Sequence, residues 1–150
     1  MREIRVALPD RPYSVQIGRG AAEALGPLLA PFQRSRLAVV SSPGIWEKHG
    51  PRIVPGLEGL AWTQVLVADG EKNKTARTLQ DLYDAFVTAR LGRDSLVVAV
   101  GGGVIGDMAG YAAATYMRGV DWVACLRRCW PWWTAPWGAR SASTTRAART

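Results

Sequence analysis

The segment from Ser95 to Gly119, SLVVAVGGGVIGDMAGYAAATYMRG, constrains the fold more than any other part of the chain. An apolar run rich in valine ends in three consecutive glycines, and a stretch of small residues follows. This pattern predicts a buried strand that leads directly into a helix. Glycines at such a turn remove every Cβ, so backbone N–H groups can approach a pyrophosphate at the positive end of the helix.

Length and composition allow one domain with a hydrophobic core. The chain has 150 residues, of which 48% are hydrophobic and 21% are charged. That is enough to bury a core but not to build two full domains. No apolar run approaches the roughly 20 residues of a membrane span, and the N-terminus lacks the apolar stretch of a signal peptide. We therefore expect a cytoplasmic protein with no membrane partner.

The positive charge of the chain is concentrated near its C-terminal end. The formal net charge is +7, yet five arginines and no acidic residue follow Trp122, so residues 1–121 carry 14 basic against 12 acidic side chains. Such a nearly neutral body does not indicate a nucleic-acid partner. Cys125 and Cys129, with a single histidine far upstream, support neither a zinc site nor a disulfide framework.

The rest of the sequence predicts strands that alternate with helices. Residues 4–8 and 13–17 alternate apolar and polar side chains on either side of a proline-containing turn, which predicts an opening β-hairpin. Short strand-like runs at 37–40, 62–68 and 95–100 are separated by helical stretches. Together these elements predict an α/β fold of the Rossmann-like type, with a mostly parallel sheet covered on both faces.

The clearest helical segment runs from Thr75 to Leu91, and a shorter helix is predicted over about residues 21–29. Gly92 is placed to end the longer helix. The apolar face of that helix has helical spacing and consists of Leu79, Leu82, Phe86 and Ala89. An amphipathic helix of this length is typical of the outer layers of an α/β sheet.

Gly101, Gly103 and Gly106 match the spacing GxGxxG between a strand and a helix, which is typical of a dinucleotide site. The same spacing occurs at tight turns where a helix packs closely on a strand, so the pattern alone leaves both interpretations open. Asp107 follows in the first turn of the predicted helix. Its carboxylate is placed either to stabilise the helix dipole or to bind a ribose or substrate hydroxyl.

A polar loop, residues 69–74, follows the predicted strand that ends at Ala68. It consists of Asp69, Gly70, Glu71, Lys72, Asn73 and Lys74. Open α/β sheets bind ligands at the carboxyl ends of their strands, where carboxylates can accept from ribose hydroxyls and lysines can neutralise phosphates. A solvated loop before a helix start at Thr75 explains the same composition. Arg118 is similarly either a cation at a helix C-terminus or an anion clamp.

Two of these motifs resemble the 3-dehydroquinate synthase family: DGEKNKT at 69–75 and GGGVIGDMAGYAAATYMRG at 101–119. The opening YSVQIG at 13–18 is similar to that family's N-terminus, and the resemblance covers roughly the first 123 residues. Iron-type alcohol and glycerol dehydrogenases and other sugar-phosphate cyclases share a glycine-rich turn here. The continuation GDMAGYAAATYMRG resembles 3-dehydroquinate synthase rather than those relatives.

The resemblance implies NAD as the cofactor. It would be bound by the loop 69–74, with Glu71 and Lys74 as the first candidates for direct contact, and by the turn that follows β-strand 95–100. That turn comprises Gly103, Val104, Ile105, Gly106 and Asp107. Arg118 would match the arginine that reaches the phosphate of the substrate across a dimer interface, so a homodimer is also implied. Ser41 and Ser42 stand where some members carry an Asp or Asn, which is a departure from the ribose contact of those members.

The implied reaction converts the sugar phosphate 3-deoxy-D-arabino-heptulosonate 7-phosphate to 3-dehydroquinate and phosphate, in the shikimate pathway. NAD takes a hydride from a ring hydroxyl and later returns it, so the cofactor is not consumed. In the family a divalent metal, zinc or cobalt, is held by a Glu and two His in a later, mostly helical domain. We expect that domain to be absent from these 150 residues, and within them we assign neither a catalytic residue nor a metal ligand.

The sequence from Cys125 onward departs abruptly from the family. The family continues with a segment resembling VPTTLLAMVDSSVGGK, whereas this chain reads CLRRCWPWWTAPWGAR. Because tryptophan has only one codon, TGG, a shift of one base forces five residues of the original frame. These fall in order on L, A, V, D and G of the family segment. We therefore expect an incomplete NAD-binding domain over residues 1–124 and an out-of-frame, disordered tail over 125–150.

Three alternatives stay open beside a synthase. The chain could be a non-catalytic NAD-binding fragment, or it could belong to a related sugar-phosphate cyclase or an iron-type alcohol or glycerol dehydrogenase. A natural tail rich in arginine and tryptophan would suit single-stranded nucleic acid or a membrane surface. We expect no turnover from the 150 residues alone, because the metal ligands of the family lie in the later domain.

Overall fold

The computed structural model describes residues 2–7, 13–18, 20 and 25–126, which form a β-hairpin and a layered α/β unit. In the hairpin, β1 (Arg2–Val6) pairs antiparallel with β2 (Tyr13–Ile17). This confirms the opening hairpin expected from the alternating side chains. Its turn, residues 8–12, lies outside the described residues.

The main sheet contains four parallel strands. They are β3 (Leu37–Ser41), β4 (Trp62–Leu66), β5 (Leu96–Gly101) and β6 (Asp121–Leu126). Their spatial order is β4-β3-β5-β6, and every neighbouring pair is parallel. The chain therefore leaves β3 toward one side of the sheet and leaves β5 toward the other, which makes the carboxyl ends of β3 and β5 a topological switch point. The Rossmann-like parallel sheet is confirmed.

Helices cover both faces of this sheet. They are α1 (Leu25–Leu29), α2 (Pro43–Ile53), α3 (Ala76–Thr88) and α4 (Gly103–Thr115), with single 3-10 turns at Ala30–Phe32, Val54–Leu57, Glu71–Asn73 and Tyr116–Arg118. One core cluster joins α1 and α2 to one face, and a second joins α3 and α4 to the other. Every residue of β3 and β5 is buried between these layers, which explains why both strands are continuous apolar runs rather than alternating ones.

The end of α3 differs from the sequence prediction. The helix was expected to reach Leu91 and to stop at Gly92, but it ends at Thr88. Arg90 takes the left-handed conformation, with φ of 53°, and the N–H of Leu91 donates to the carbonyl of Phe86 at 3.0 Å. This is the closing bond of a Schellman motif, in which glycine is usual but not obligatory. Gly92 is therefore not the residue that ends the helix.

Two other predicted boundaries shift slightly. The strand expected over 62–68 ends at Leu66, and the helix expected over about 21–29 is described only as Leu25–Leu29, since residues 21–24 lie outside the described residues. Strand β6 runs to Leu126, and residues 127–150, which make up most of the predicted tail, also lie outside them. Across the described part of the chain, no helix combines the length and the apolar character that crossing a membrane requires.

Candidate cofactor-binding site

The glycines between β5 and α4 divide into two kinds. A Cβ at Gly101 would lie 2.8 Å from the Cβ of Ile105, so this residue is required for close packing of the helix on the strand. A Cβ at Gly102, Gly103 or Gly106 would meet no described atom within 4 Å. The tight-packing interpretation of the GxGxxG spacing is therefore confirmed at Gly101, and the dinucleotide interpretation stays a prediction for the open glycines.

The open side of the turn has the properties of an anion site. Gly102, the N-cap of α4, is exposed and has no side chain that could cap the helix, and Gly103 is exposed beside it. The first N–H groups of a helix have no partner within the helix, and the helix dipole places positive charge there. A diphosphate can approach these groups closely because no Cβ stands in the way. The residues present thus fit the NAD that the resemblance implies.

The loop 69–74 is shaped by its own residues. Asp69 accepts a hydrogen bond from the N–H of Gly70 at 2.8 Å, and the side-chain amide of Asn73 donates to the carbonyl of Asp69 at 2.6 Å. Gly70 has φ of 103°, a conformation that strongly favours glycine. Asp69, Gly70 and Asn73 therefore form the loop, while the exposed side chains of Glu71 and Lys72 extend from it.

Lys74 joins this loop to the glycine turn. Its Nζ donates to Oε1 of Glu71 at 2.9 Å and to Oδ2 of Asp107 at 3.0 Å. The loop follows β4 and the turn follows β5, so the ion pair passes over the carboxyl end of β3, which lies between them. Hydrogen bonds to Glu71, and then to Asp107, raise the pKa of Lys74 above its ordinary value. The structure therefore brings both predicted cofactor motifs together through one fully charged ammonium group.

Asp107 lies later in its helix than the sequence indicated. We expected it in the first turn, but α4 begins at Gly103, so Asp107 is its fifth residue and the first turn holds no acidic side chain. The helix-dipole interpretation is correspondingly weakened, because that effect falls off within the first turn. The carboxylate instead accepts from Lys74, a contact between residues 33 positions apart.

Ser41 has a structural role that the sequence analysis missed. It is fully buried at the end of β3, and its hydroxyl donates to the carbonyl of Val100 in β5 at 2.8 Å. Ser42 beside it is 3% exposed. A small polar residue that ends an otherwise apolar buried strand is a signal for such a bond, because a buried hydroxyl must find a partner. Ser41 therefore links the two central strands beneath the candidate site.

Arg118 lies beyond the C-terminal end of α4, whereas the glycine turn lies at the N-terminal end of that helix. It ends the 3-10 turn that follows α4, is exposed, and has φ of 69°. The part of α4 from Asp107 to Thr115 is about 12 Å long and separates Asp107 from the turn that holds Arg118. The structure does not bring Arg118 to the loop and turn of the same chain, and its assignment to substrate stays a prediction.

No group of three or more His, Cys, Asp or Glu side chains that could hold a metal ion occurs in the described part of the chain. The described residues therefore do not fit the zinc or cobalt ion that the resemblance implies for the family.

Comparison with known proteins agrees with this geometry. Residues 64–128 match the family model described as 3-dehydroquinate synthase N-terminal. The chain is 43% identical over 123 residues to a 3-dehydroquinate synthase of Gloeobacter violaceus. The aligned region covers 80% of this chain and 34% of that protein. The resemblance to 3-dehydroquinate synthase is confirmed. The chain spans about a third of the length of the curated synthases it matches, and both the loop and the glycine turn fall within residues 64–128.

Two solved structures share the fold. A 2-deoxy-scyllo-inosose synthase, complexed with carbaglucose-6-phosphate, NAD+ and Co2+, is similar with a TM-score of 0.75 and 22% identity, over 83% of this chain and 35% of that one. A 2-epi-5-epi-valiolone synthase from Streptomyces hygroscopicus subsp. jinggangensis, with NAD+ and Zn2+ bound, gives a TM-score of 0.61 and 25% identity, over 73% and 30%. These likenesses show the fold of the chain.

Proposed function

We propose that this chain carries the NAD-binding part of a 3-dehydroquinate synthase. The whole enzyme would convert 3-deoxy-D-arabino-heptulosonate 7-phosphate to 3-dehydroquinate and phosphate, in the shikimate pathway. The observation that carries the proposal is the meeting of the loop 69–74 with the open glycine turn, joined by Lys74. Identity of 43% to a curated synthase over this region supports it, as do the NAD+ complexes of the two cyclases.

Each part of the site has a role in this proposal. The exposed backbone of Gly102 and Gly103 and the N–H groups of the first turn of α4 receive the diphosphate. The carboxylates of Glu71 and Asp107 are placed to accept from ribose hydroxyls, since both lie on the rim of the same site. Bound NAD supplies reversible hydride transfer, and the protein's residues hold and orient it.

We assign Arg118 to the substrate phosphate of a neighbouring subunit. The residue is exposed and follows α4, whose part from Asp107 to Thr115 is about 12 Å long, so it cannot serve the site of its own chain in this conformation. A planar guanidinium binds phosphate through two hydrogen bonds. The assignment requires a homodimer, and sedimentation equilibrium of the chain at micromolar concentration is the check. A strictly monomeric protein at all concentrations would contradict it.

The 150-residue chain should bind NAD without turning over the sugar phosphate, because the described residues offer no metal site. Isothermal titration of the folded chain with NAD should give saturable binding, and the heptulosonate phosphate should release no phosphate above the blank. Failure of a folded chain to bind NAD would overturn the assignment. Net formation of NADH from an alcohol would point instead to the dehydrogenase alternative.

We also propose that residues 125–150 are read out of frame. The forced tryptophan codons between Trp130 and Gly138 support this, because they reproduce five residues of the expected family segment in order. Sequencing the coding DNA on both sides of codon 125 tests it. A single-base correction should restore a long open frame that continues the family pattern. If no such correction exists, the tail belongs to the protein and the frame hypothesis is wrong.

A further inference from the structure

We propose that Lys74 is a positioning residue that offsets the charge of Asp107 beside the diphosphate site. This role rests on the proposed function, since it assumes that the open glycine turn receives a diphosphate. It goes beyond a direct contact between Lys74 and the cofactor. Without the ammonium group, the Asp107 carboxylate would oppose the anion that the helix N-terminus is built to bind.

The position of Asp107 on α4 gives it this effect. Residues i and i+4 lie on the same side of a helix, so Asp107 stands directly below Gly103, the first helical residue. The Cα–Cβ bonds of a helix tilt toward its N-terminus, so the carboxylate leans toward the glycine turn. Its side chain is 36% exposed and therefore only partly screened by water. A negative charge thus stands beside the groups that would bind phosphate.

The charged side chains of the loop 69–74 and Asp107 have a net negative charge, and this charge is more negative without Lys74. Among the described residues, the loop 69–74 and Asp107 together carry three carboxylates and two ammonium groups, and these are Asp69, Glu71, Asp107, Lys72 and Lys74. The formal sum is −1, and removing Lys74 makes it −2. Of the two lysines, Lys74 contacts Asp107 directly, whereas Lys72 makes no ion pair with any described residue. Lys74 is therefore the lysine of this loop that offsets the charge of Asp107 beside the turn.

Glu71 holds Lys74 in place from the loop side. The i,i+3 contact with Oε1 of Glu71 at 2.9 Å orients the lysine stem toward α4, where its other contact is made. Both carboxylates raise the pKa of Lys74, so the group is fully protonated at neutral pH. The loop and the helix are consequently held at a fixed spacing before a ligand arrives, which lowers the cost of ordering the site on binding.

A double-mutant cycle separates this role from direct contact. We would measure NAD affinity at low ionic strength for Lys74→Met, Asp107→Asn and the double variant. Lys74→Met should weaken binding by about 30-fold, and adding Asp107→Asn should recover about tenfold of that loss, within the range of coupling between contacting groups. If Asp107→Asn leaves the affinity of Lys74→Met unchanged or lowers it further, Lys74 acts through its own contact only and the proposal is wrong.

Lys72→Met is the matched control, because it removes the same charge from the same loop without breaking an ion pair among the described residues. Its effect on NAD affinity should be the same in the wild-type and Asp107→Asn backgrounds. If adding Asp107→Asn recovers the same amount of NAD affinity in Lys72→Met as in Lys74→Met, the proposal is wrong. The coupling would then come from general surface electrostatics and not from the Lys74 contact. Lys74→Arg should retain most of the affinity, because a guanidinium can bridge the same carboxylates.

Inorganic pyrophosphate serves as a second probe, and circular dichroism first establishes that each variant is folded. If NAD binds and the coupling is absent, the proposed function stands and the role of Lys74 fails. If pyrophosphate binds with the expected coupling but NAD does not bind, the NAD assignment fails and the role of Lys74 stands. Binding of neither probe by the folded chain would overturn both.

Discussion

The parallel sheet has an amino edge, where its strands begin, and a carboxyl edge, where they end, and the two differ in the contacts that their side chains make. At the amino edge, Arg34 forms a mostly buried ion pair with Asp121, and the hydroxyl of Tyr116 donates to the carbonyl of Leu91 at 3.1 Å. At the carboxyl edge, the charged side chains of the loop 69–74 are exposed, and Gly102, Gly103 and Gly106 leave open space. The amino edge stabilises the fold, and the carboxyl edge leaves its backbone groups available to a ligand.

This contrast shows how an α/β unit can combine a stable core with a binding edge. Side-chain bonds that join β3, β5 and β6 at their amino ends do not interfere with ligands, because ligands of open sheets bind at the carboxyl ends. Substitutions at the amino edge should therefore change the free energy of unfolding, and those at the carboxyl edge should change affinity.

Gly26→Ala should have the largest effect, and it should act on stability. A Cβ at Gly26 would lie 2.0 Å from the carbonyl oxygen of Gly56, where α1 meets the turn that leads toward β4. Backbone must move to relieve this overlap, so we expect a loss of about 3 kcal/mol or more in urea denaturation. Gly44→Ala is the control, because a Cβ there meets no described atom within 4 Å. Comparable losses for both variants would refute the steric explanation.

Arg34→Met should destabilise the fold by about 2 kcal/mol, less than a fully buried pair because the two side chains are 18% and 12% exposed. The measurement is again urea denaturation. Arg77→Met provides the comparison, since Arg77 contacts Asp81 at 3.2 Å with side chains 87% and 55% exposed. Exposed pairs contribute about 0.5 kcal/mol or less. Neither variant should change NAD affinity, and a large change with Arg34→Met would remove the distinction between the edges.

Gly103→Ala should change NAD affinity and not stability, which is the reverse of the result expected for Arg34→Met. The added methyl group enters open space at the start of α4, so stability should be unchanged, but NAD affinity should fall by about tenfold because the diphosphate can no longer approach the backbone. Gly101→Ala should instead lose about 1 to 2 kcal/mol, since its Cβ would overlap Ile105. Calorimetric titration and thermal melting of both variants check this, and unchanged NAD affinity in Gly103→Ala would count against the site.

The smallest effect concerns the titration of Lys74. Its pKa is raised above 10.5, first by Glu71 and then by Asp107, so the ion pairs contribute fully below pH 10.5 and are lost as pH rises through the raised pKa. NMR titration of the Lys74 side chain should show the pKa falling in Glu71→Gln and, by less, in Asp107→Asn. NAD affinity should not change through Lys74 between pH 6 and 9. An unaltered pKa in both variants would show that the contacts do not persist in solution.

The elements of the fold were predictable because each follows from local pattern. Continuous apolar runs predicted β3 and β5, and the glycine spacing predicted the start of α4. What the pattern could not supply were contacts between distant residues. The Lys74–Asp107 pair and the bond from Ser41 to Val100 depend on strand order, which determines which loops become neighbours.

Local details were also missed where tertiary packing decided them. Arg90 takes the left-handed position at the end of α3, although Gly92 is better suited to it by intrinsic preference. The reason is the position at which the helix ends. With Arg90 in the left-handed conformation, the Schellman bond from Leu91 to Phe86 forms and Leu91 lies in the core, where it is 4% exposed. Burial of a leucine outweighs the cost of about 1 kcal/mol for a non-glycine residue in that conformation.

The contact between Gly110 and Trp122 sets the height of α4 above the sheet. A Cβ at Gly110 would lie 3.1 Å from the indole ring, so any larger residue would push the helix or the ring away by a few tenths of an ångström. The first residues of this helix form the glycine turn, and its last turn leads to Arg118. A residue in the middle of the helix therefore influences the position of both the glycine turn and Arg118.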